Sequence, residues 1–263
     1  MFSRSYLPAA NSSRMASVGD VEKSRRRFHG TERSTVRYLL DKRFNWMNQY
    51  IDDHHVGLEV GAGAGFSREY IKKGTYELTD FADFDWLDRK VDAMRLPYSD
   101  SQLDFVIESN MLHHLAHPAT FLRESLRVLK PGGMLLIQDV WGSVLLRFLC
   151  RLLKTEGYSF DVDVYDEETP CCDPENLWAG NNVIPNLLFR DRERFTRAFG
   201  FEIVRFAHSE VFLFPLSGGV TSHLPAPRLP RWILKSVDFL DGVMVKIAPN
   251  LCALQVSVAL RKQ

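Results

Sequence analysis

The chain has 263 residues, of which 45% are apolar and 25% are charged. These fractions are ordinary for a globular protein, so they exclude a mostly disordered, collagen-like or coiled-coil chain. The 33 basic residues balance the 33 acidic ones, so no strong overall field attracts nucleic acid, and we expect no nucleic-acid partner.

The amino-terminal segment shows no clear targeting signal. Residues 1–19 contain five serines and two arginines but no acid, and they lack the apolar core of a secretory signal. Residues 1–30 are therefore predicted to be a disordered tail, and whether residues 1–14 belong to the mature protein is left open. No apolar run reaches the roughly 18–20 residues needed to cross a bilayer, which favours a soluble, cytoplasmic protein.

The four cysteines stand at positions 150, 171, 172 and 252. This spacing matches neither a disulfide framework nor a zinc site, so free thiols in a reducing compartment are expected. The sequence offers no clear set of metal ligands, and no metal is expected.

Helical spacing first occurs at residues 31–50, where apolar side chains recur at three- and four-residue steps. From residue 56 onwards, short apolar runs alternate with helices, which predicts a parallel sheet. Pro118 begins one of these helices, and a proline-glycine turn ends it. The clearest strand candidates are Val56–Val60, Tyr76–Thr79, Leu103–Ile107 and Met134–Ile137.

After residue 140 the alternation becomes irregular. Residues 141–154 predict an amphipathic helix with a basic side, which permits weak contact with an anionic membrane surface. Two further strands are predicted at Phe201–Phe206 and Leu254–Leu260. The segments 141–195 and 208–250 are predicted insertions that form a lid over the carboxyl ends of the strands, where ligands bind in open α/β sheets.

A glycine-rich loop, Leu58-Glu59-Val60-Gly61-Ala62-Gly63-Ala64-Gly65-Phe66, follows the first of these strands and opens a helix. Glycines let the backbone turn tightly, and the start of a helix presents free N–H groups to a ligand. A dinucleotide fingerprint needs a small residue where Phe66 stands. With Glu59 just before it, the loop suits a ligand that carries both an ammonium and a carboxylate. A turn that needs glycine only for steric reasons is the alternative.

Asp80 lies nineteen residues after Gly61, at the end of the second strand. A carboxylate at this position accepts hydrogen bonds from the ribose hydroxyls of a nucleoside ligand. It does not choose between NAD and S-adenosylmethionine. An ordinary turn aspartate is the alternative.

Four segments together resemble the class I S-adenosylmethionine-dependent methyltransferases, in particular the type 11 group that includes quinone-biosynthesis enzymes. They are Leu58–Gly65, Val91–Tyr98, Leu103–His114 and Arg127–Gly133. The resemblance implies an α/β fold with a Rossmann-like sheet of seven strands, the last one antiparallel. Residues 31–263 are then a single methyltransferase domain, with residues 55–140 as the cofactor-binding core.

The same resemblance implies S-adenosylmethionine as the cofactor and a set of residues that bind it. Asp80 would take the ribose hydroxyls with Phe81 beside the adenine, and Asp92 would take the adenine amino group. Few residues separate Asp80 from Val91, so the usual helix there is expected to be reduced to a turn. The implied cofactor-binding residues are Glu59, Gly61, Ala62, Gly63, Gly65, Asp80, Phe81, Asp92, Ala93, Ser109 and Asn110.

An acceptor hydroxyl must lose a proton, so a general base is useful, and histidine is the first candidate. His113 and His114 follow the fourth strand, and Glu210 precedes an apolar run whose burial would raise its pKa. These three are the candidate catalytic residues, with Asp139 and Glu156 as further candidates. Packing at the start of the following helix is the alternative for the histidine pair.

Aromatic residues are concentrated in the two insertions, which predicts a bulky, partly apolar acceptor. We expect a small-molecule or lipid- or glycan-linked acceptor, methylated at oxygen or carbon. A nicotinamide oxidoreductase and a non-catalytic cofactor-binding protein are the alternatives, and the oligomeric state is left open. The aromatic residues are Trp141, Trp178, Phe189, Phe212, Phe214 and Trp232.

Overall fold

The structure is a computed structural model of the full chain. It describes residues 3–8, 18–30, 34–154, 156–176, 179–220 and 227–263. Trp178, one of the aromatic residues singled out above, lies outside these residues.

The strands form a large sheet and a small one. They are β1 (Ser5–Tyr6), β2 (Val56–Val60), β3 (Thr75–Asp80), β4 (Arg89–Lys90), β5 (Leu103–Ser109), β6 (Leu129–Val140), β7 (Tyr158–Ser159), β8 (Phe201–Ser209) and β9 (Gln255–Lys262). Seven of them make the large sheet in the order β4-β3-β2-β5-β6-β9-β8. All neighbours are parallel except β9, which runs antiparallel to both β6 and β8. The predicted seven-strand sheet with an antiparallel last strand is therefore confirmed.

Helices surround the sheet. They are α1 (Val18–Gly30), α2 (Ser34–Phe44), α3 (Pro118–Val128), α4 (Val144–Leu153), α5 (Ile184–Phe189), α6 (Arg192–Phe199), α7 (Leu213–Ser217), α8 (Arg231–Ile247) and α9 (Pro249–Cys252). Short 3-10 helices cover Asn45–Gln49, Phe66–Glu69 and Leu112–His114. The turn predicted between Asp80 and Val91 is present, because only β4 and turns occupy that stretch.

The central strands are buried on both faces, which explains why they read as continuous apolar runs rather than alternating ones. Successive side chains of a strand point to opposite faces of the sheet. In β5, Val106 joins one core cluster while Phe105 and Ile107 join the other. The sheet therefore separates two apolar layers, each covered by helices.

The prediction of a disordered tail over residues 1–30 is wrong for residues 18–30. These residues form α1, and Val21 and Phe28 are buried in the core cluster that also contains Phe66. Phe28 contacts the ring of Phe66 with centroids 4.5 Å apart. In the sequence, Val21 and Phe28 stand among the basic residues of α1. Their contacts with the core cluster order the segment.

Both predicted insertions start at the carboxyl edge of the sheet. The first follows β6 and contains α4, β7, α5 and α6, and the second connects β8 to β9 and contains α7, α8 and α9. The first insertion contacts the loop after β5, because the Asn181 and Cys171 amides donate to the His113 and Ala116 carbonyls at 2.8 and 2.7 Å. It therefore lies above the strand ends, which is the position expected for a lid.

All four cysteines are free thiols. Across the part of the chain that the structure describes, no helix is both long enough and apolar enough to cross a membrane.

Candidate active site

The glycine-rich loop connects β2 to a 3-10 helix at the carboxyl edge of the sheet. Gly61, Gly63 and Gly65 have φ angles of +63°, +50° and +68°, in the left-handed region that residues with a Cβ atom rarely adopt. At Gly61 a Cβ atom would lie only 2.4 Å from Cγ of Met111. Glycine is therefore required here both by the backbone conformation and by the close approach of the loop after β5.

Neighbouring elements hold this loop in shape. The Gly63 amide donates to Oδ2 of Asp80 at 2.9 Å, and the Gly63 carbonyl accepts from Nε1 of Trp86 at 2.9 Å. Arg25 of α1 donates to the Ala64 carbonyl at 2.6 Å and lies over the Trp86 ring at 5.0 Å. Neither Arg25 nor Trp86 was identified from the sequence.

The helix expected directly after the loop is only the four-residue 3-10 turn Phe66–Glu69. Phe66 points into the core against Phe28 instead of extending a long helix along the sheet. The helix predicted directly after the loop is therefore present only as this short turn. The shape of the loop comes instead from the left-handed backbone of its three glycines.

Glu59 does not point towards the open edge of the sheet. Its side chain is buried, and it accepts a hydrogen bond from the Ser67 hydroxyl. Burial raises the pKa of Glu59 to about 8, although the Ser67 hydrogen bond opposes this rise. The prediction that Glu59 contacts a cofactor directly is therefore not supported. Glu59 instead positions the loop through its hydrogen bond with Ser67.

Asp80 ends β3 beside the loop. Its two carboxylate oxygens accept the amides of Gly63 and Ala82, both at 2.9 Å. Each oxygen keeps a second lone pair for a further donor. Burial raises the pKa of Asp80, and these backbone hydrogen bonds oppose the rise. Phe81 follows at the surface, 47% exposed, so its ring is available to a planar ligand.

The other predicted cofactor residues follow β4 and β5. Asp92 accepts the Met94 amide at 2.9 Å, and Ala93 is buried beside it. Asn110 has a left-handed φ of +56° and is held by Gln255, whose side-chain amide donates to Oδ1 of Asn110 at 2.8 Å. The carboxyl ends of β3, β4 and β5 thus carry the predicted residues along one edge of the sheet.

A buried charge network lies beyond β5. Nδ1 of His113 is 2.5 Å from Oδ1 of Asp139, and Nε2 of His113 is 3.5 Å from Oε2 of Glu156. Burial alone lowers the pKa of His113, but the two carboxylates outweigh it and raise the pKa to about 10. His113 is therefore a cation at neutral pH with both ring nitrogens engaged, a form that does not accept a proton, and its catalytic role stays a prediction.

The other members of the network differ in charge. Burial, with the charge on His113, lowers the pKa of His114 to about 4. Burial raises the pKa of Glu156, but the His113 hydrogen bond and charge outweigh it and lower the pKa to about 2. Between pH 4 and 9, His114 is therefore a neutral imidazole and Glu156 a carboxylate. Of the predicted histidines, only His114 is in the form that accepts a proton.

Among the residues that the structure describes, one group of side chains could hold a metal ion, and the sequence did not predict it. Ligand atoms of His113, His114 and Glu156 lie within 4.8 Å of one another. Two histidines and a carboxylate are a ligand set that divalent transition metals accept. The linear spacing concealed the group, because Glu156 comes from the first insertion.

Glu210, which is also predicted as a general base, lies in a buried ion pair. Its two carboxylate oxygens accept from Nε and Nη2 of Arg43 at 2.8 and 2.7 Å, and both side chains are buried. A carboxylate that is held bidentately by a guanidinium has no free oxygen directed at a substrate. Glu210 instead connects the second insertion to α2.

The aromatic residues of the insertions divide between core and surface. Trp141 and Phe189 are buried, whereas Phe212 and Trp232 are exposed. Trp141 also lines a cavity of about 240 Å³ next to the end of β6. The other residues around this cavity include Arg147, Phe160, Asn186, Arg190 and Asn250.

Comparison with known proteins relates these features to a family. Residues 58–137 match the family model of a methyltransferase domain. The matched range contains the glycine loop, Asp80, Asp92, Asn110 and the two histidines. This part of the chain, about a third of its length, is therefore similar to a methyltransferase domain.

A solved structure has a similar fold. The structure of a SAM-dependent methyltransferase from Archaeoglobus fulgidus aligns with a TM-score of 0.53 at 14% identity. The alignment covers 86% of this chain and 94% of that chain. This similarity shows the fold of the chain.

Curated relatives match over short segments only. The 27-O-demethylrifamycin SV methyltransferase of Amycolatopsis mediterranei is 44% identical over 48 residues, 18% of each protein. A hybrid PKS-NRPS synthetase of Fusarium is 28% identical over 111 residues, which are 33% of this chain and 3% of that protein. The chain therefore spans only a small part of the curated relatives that it matches.

Proposed function

We propose that the protein transfers a methyl group from S-adenosylmethionine to a nucleophilic acceptor. The observation that carries the proposal is the loop Gly61–Gly65, whose three left-handed glycines stand beside Asp80 at the carboxyl edge of the sheet. When bound, the cofactor supplies an electrophilic methyl on a positive sulfur. The protein aligns the acceptor with this methyl and excludes water from the site.

The residues present fit this cofactor. The left-handed backbone of the loop leaves room at Gly63, where the nearest heavy atom to a Cβ would be 3.9 Å away. The methionine end of the cofactor would bind there, and Asp80 would accept hydrogen bonds from the ribose hydroxyls. Phe81 and Asp92 would hold the adenine, and Ser109 and Asn110 would line the sulfonium side.

Isothermal titration calorimetry with the full chain tests this assignment. S-adenosylhomocysteine, the product form of the cofactor, is expected to bind, whereas NADH is expected not to bind. Binding of NADH without binding of S-adenosylhomocysteine would establish the nicotinamide oxidoreductase instead. An acceptor screen that follows release of S-adenosylhomocysteine then separates an enzyme from a protein that only binds the cofactor.

The acceptor is bulky and partly apolar, and it enters under the first insertion. The cavity of about 240 Å³ beside Trp141 supports this, because aromatic side chains and two arginines line it. Arg147 and Arg190 suit an acceptor that carries an anionic group, such as a lipid- or glycan-linked phosphate. A screen in which only small, uncharged polar acceptors are methylated would contradict this part of the proposal.

Oxygen is the atom that we propose is methylated. The support is the name of the Amycolatopsis relative, which describes methylation at an oxygen. A hydroxyl acceptor loses its proton to His114, which is neutral at physiological pH, while His113 holds Glu156 and Asp139 in place. Because the thiols are free, a reducing compartment fits the protein, and we propose that the reaction takes place in the cytoplasm.

Replacing His114 with alanine tests its role. With the acceptor found in the screen, the variant is expected to lose kcat by about 10²-fold or more, while binding of S-adenosylhomocysteine stays unchanged. The matched control is His54→Ala, because His54 is exposed and lies before β2. Equal kcat in the wild type and His114→Ala would rule out His114 as the base.

A further inference from the structure

Helix α8 presents an unusual outer face. Trp232, Phe239 and Ile247 are 69%, 72% and 79% exposed, although large apolar side chains in contiguous exposed patches are rare on soluble proteins. We use the name outer face of α8 for the following exposed apolar residues of α8 and α9: Trp232, Phe239, Leu240, Val243, Ile247 and Leu251.

The α8 members of this face form one stripe. At 3.6 residues per turn, they fall within an arc of about 100° on the helix surface. The opposite side of the helix carries Leu234, Asp241 and Val245, which are buried against the protein. The helix therefore has two apolar sides. One side is buried in the protein, and the other faces solvent.

The charges of α8 are sorted between its two sides. Asp241 is buried and accepts the amides of Val211, Phe212 and Leu213 at 2.9–3.0 Å. The other acid, Asp238, faces α2, where it accepts from Tyr38 at 3.1 Å and pairs with Lys42. Both carboxylates of the helix are thus used within the protein.

The basic residues lie on the solvent side. Arg228, Arg231, Lys235 and Lys246 are all exposed. The face therefore combines large apolar side chains with cations, and the acids of residues 227–252 are turned away from it. Exposed aromatic and aliphatic residues bordered by Lys and Arg are the pattern of a helix that lies in the surface of an anionic membrane.

A second copy of the chain would fit this face poorly. Self-association would bring the same four cations of each copy together, and like charges across an interface oppose binding. Lipid phosphates supply the missing negative charge, and the acyl chains accept the apolar stripe. Helix α9 contacts both α8 and α4, and α4 adds the exposed side chains of Phe148, Leu152 and Leu153 on the same insertion-bearing side.

We propose that the outer face of α8 binds the surface of an anionic lipid bilayer. The helix lies in the insertion between β8 and β9, which leaves the sheet at the same carboxyl edge as the glycine loop. Binding would therefore hold the site close to the membrane, where a lipid-linked molecule is accessible. The inference stands on exposure and charge alone and does not depend on the methyl-transfer assignment.

Co-sedimentation of the full chain with vesicles tests the proposal. Vesicles of phosphatidylcholine with 30% phosphatidylglycerol are expected to sediment the protein at low salt at least about tenfold better than pure phosphatidylcholine. The double variant Phe239→Ser/Ile247→Ser is expected to lose most of this binding. The matched control Leu7→Ser changes an exposed apolar residue just after β1 and is expected to bind normally.

A second double variant tests whether the exposed cations of α8 contribute to membrane binding. Lys235→Ala/Lys246→Ala is expected to reduce binding to the anionic vesicles severalfold, because each exposed cation contributes. The matched control is Lys72→Ala/Lys73→Ala, whose exposed lysines precede β3 at the opposite edge of the sheet. Binding of S-adenosylhomocysteine and the circular dichroism spectrum show that each variant is folded.

Three results would overturn the proposal. The first is no sedimentation with anionic vesicles at low salt. The second is equal sedimentation of the wild type and Phe239→Ser/Ile247→Ser. The third is a dimer in sedimentation-velocity experiments that Phe239→Ser/Ile247→Ser converts to a monomer, because the face would then be an interface between copies.

Discussion

Oδ1 of Asp139, at the end of β6, lies 2.5 Å from Nδ1 of His113, in the loop after β5. Both side chains are buried, and the second ring nitrogen of His113 faces Glu156 of the first insertion. A single imidazolium therefore joins two adjacent strand ends to the insertion above them. Removing it would leave the buried carboxylate of Asp139 without its countercharge, which is more costly than losing an exposed ion pair.

The pKa of His113 predicts how stability depends on pH. Because its folded-state pKa of about 10 is above the ordinary value of 6.5, its contribution is complete below pH 6.5 and is lost as the pH rises through 10. At pH 6, His113→Gln is expected to lower the free energy of unfolding by about 3 kcal/mol. The difference from wild type should shrink between pH 6.5 and 10.

Urea unfolding of both proteins at pH 6, 8 and 10 measures this difference. His54→Gln is the control, because His54 is exposed and distant from the network. A destabilisation by His113→Gln that stays constant from pH 6.5 to 10 would show that the imidazole is not charged in the folded protein.

The glycine loop predicts a loss of cofactor affinity on substitution. Gly63→Val places a side chain in the space above the loop and forces it into a left-handed backbone conformation, so affinity for S-adenosylhomocysteine should fall at least about tenfold. Gly132→Val is the matched control, because Gly132 also has a positive φ, of +79°, and no heavy atom lies within 4 Å of its Cβ position. Equal losses of affinity in the two variants would place the ligand elsewhere.

Asp80 predicts a second, electrostatic loss of affinity. Asp80→Ala removes the two acceptors at the end of β3 and leaves the Gly63 amide without its partner. Calorimetry should show affinity for S-adenosylhomocysteine reduced by about 10- to 100-fold, as expected for the loss of charged hydrogen bonds. Asp85→Ala removes an exposed carboxylate from the neighbouring turn and serves as the control. An Asp80→Ala variant with wild-type affinity would exclude ribose binding at this position.

Breaking the buried ion pair between Arg43 and Glu210 is expected to lower the free energy of unfolding without changing catalysis. Glu210→Gln leaves the Arg43 guanidinium buried without a countercharge, which should cost about 3–5 kcal/mol in urea unfolding. Glu193→Gln breaks an exposed pair with Arg197 on α6 and should cost less than about 0.5 kcal/mol. If Glu210→Gln instead abolished turnover while leaving stability unchanged, the assignment of Glu210 to the fold would be wrong.

Much of the core could be predicted because its signals are local. Apolar runs marked the buried strands of the sheet, and β2 begins and ends at the predicted residues Val56 and Val60. The glycines at 61, 63 and 65 were identified from their position after a strand, and each adopts the left-handed conformation that only glycine tolerates easily. The short stretch between Asp80 and Val91 correctly predicted a turn in place of a helix.

Predictions that depended on partners distant in the sequence were less successful. Glu210 precedes an apolar run, as an activated base might, yet its buried partner Arg43 comes from a helix more than 160 residues earlier. Residues 1–30 were predicted to be a disordered tail, yet Val21 and Phe28 of α1 lie in the core. The local sequence pattern indicates which residues are buried. It does not indicate which charged residues form ion pairs in the folded chain.

The sequence by itself determined the sheet and the glycine loop, because periodicity and turn chemistry act over a few neighbouring residues. The tertiary structure decided the charge states of His113 and His114, the structural use of Glu59 and Glu210, and the solvent exposure of the apolar stripe on α8. These properties depend on burial and on distances between groups from separate elements. Only the folded chain brings those groups together.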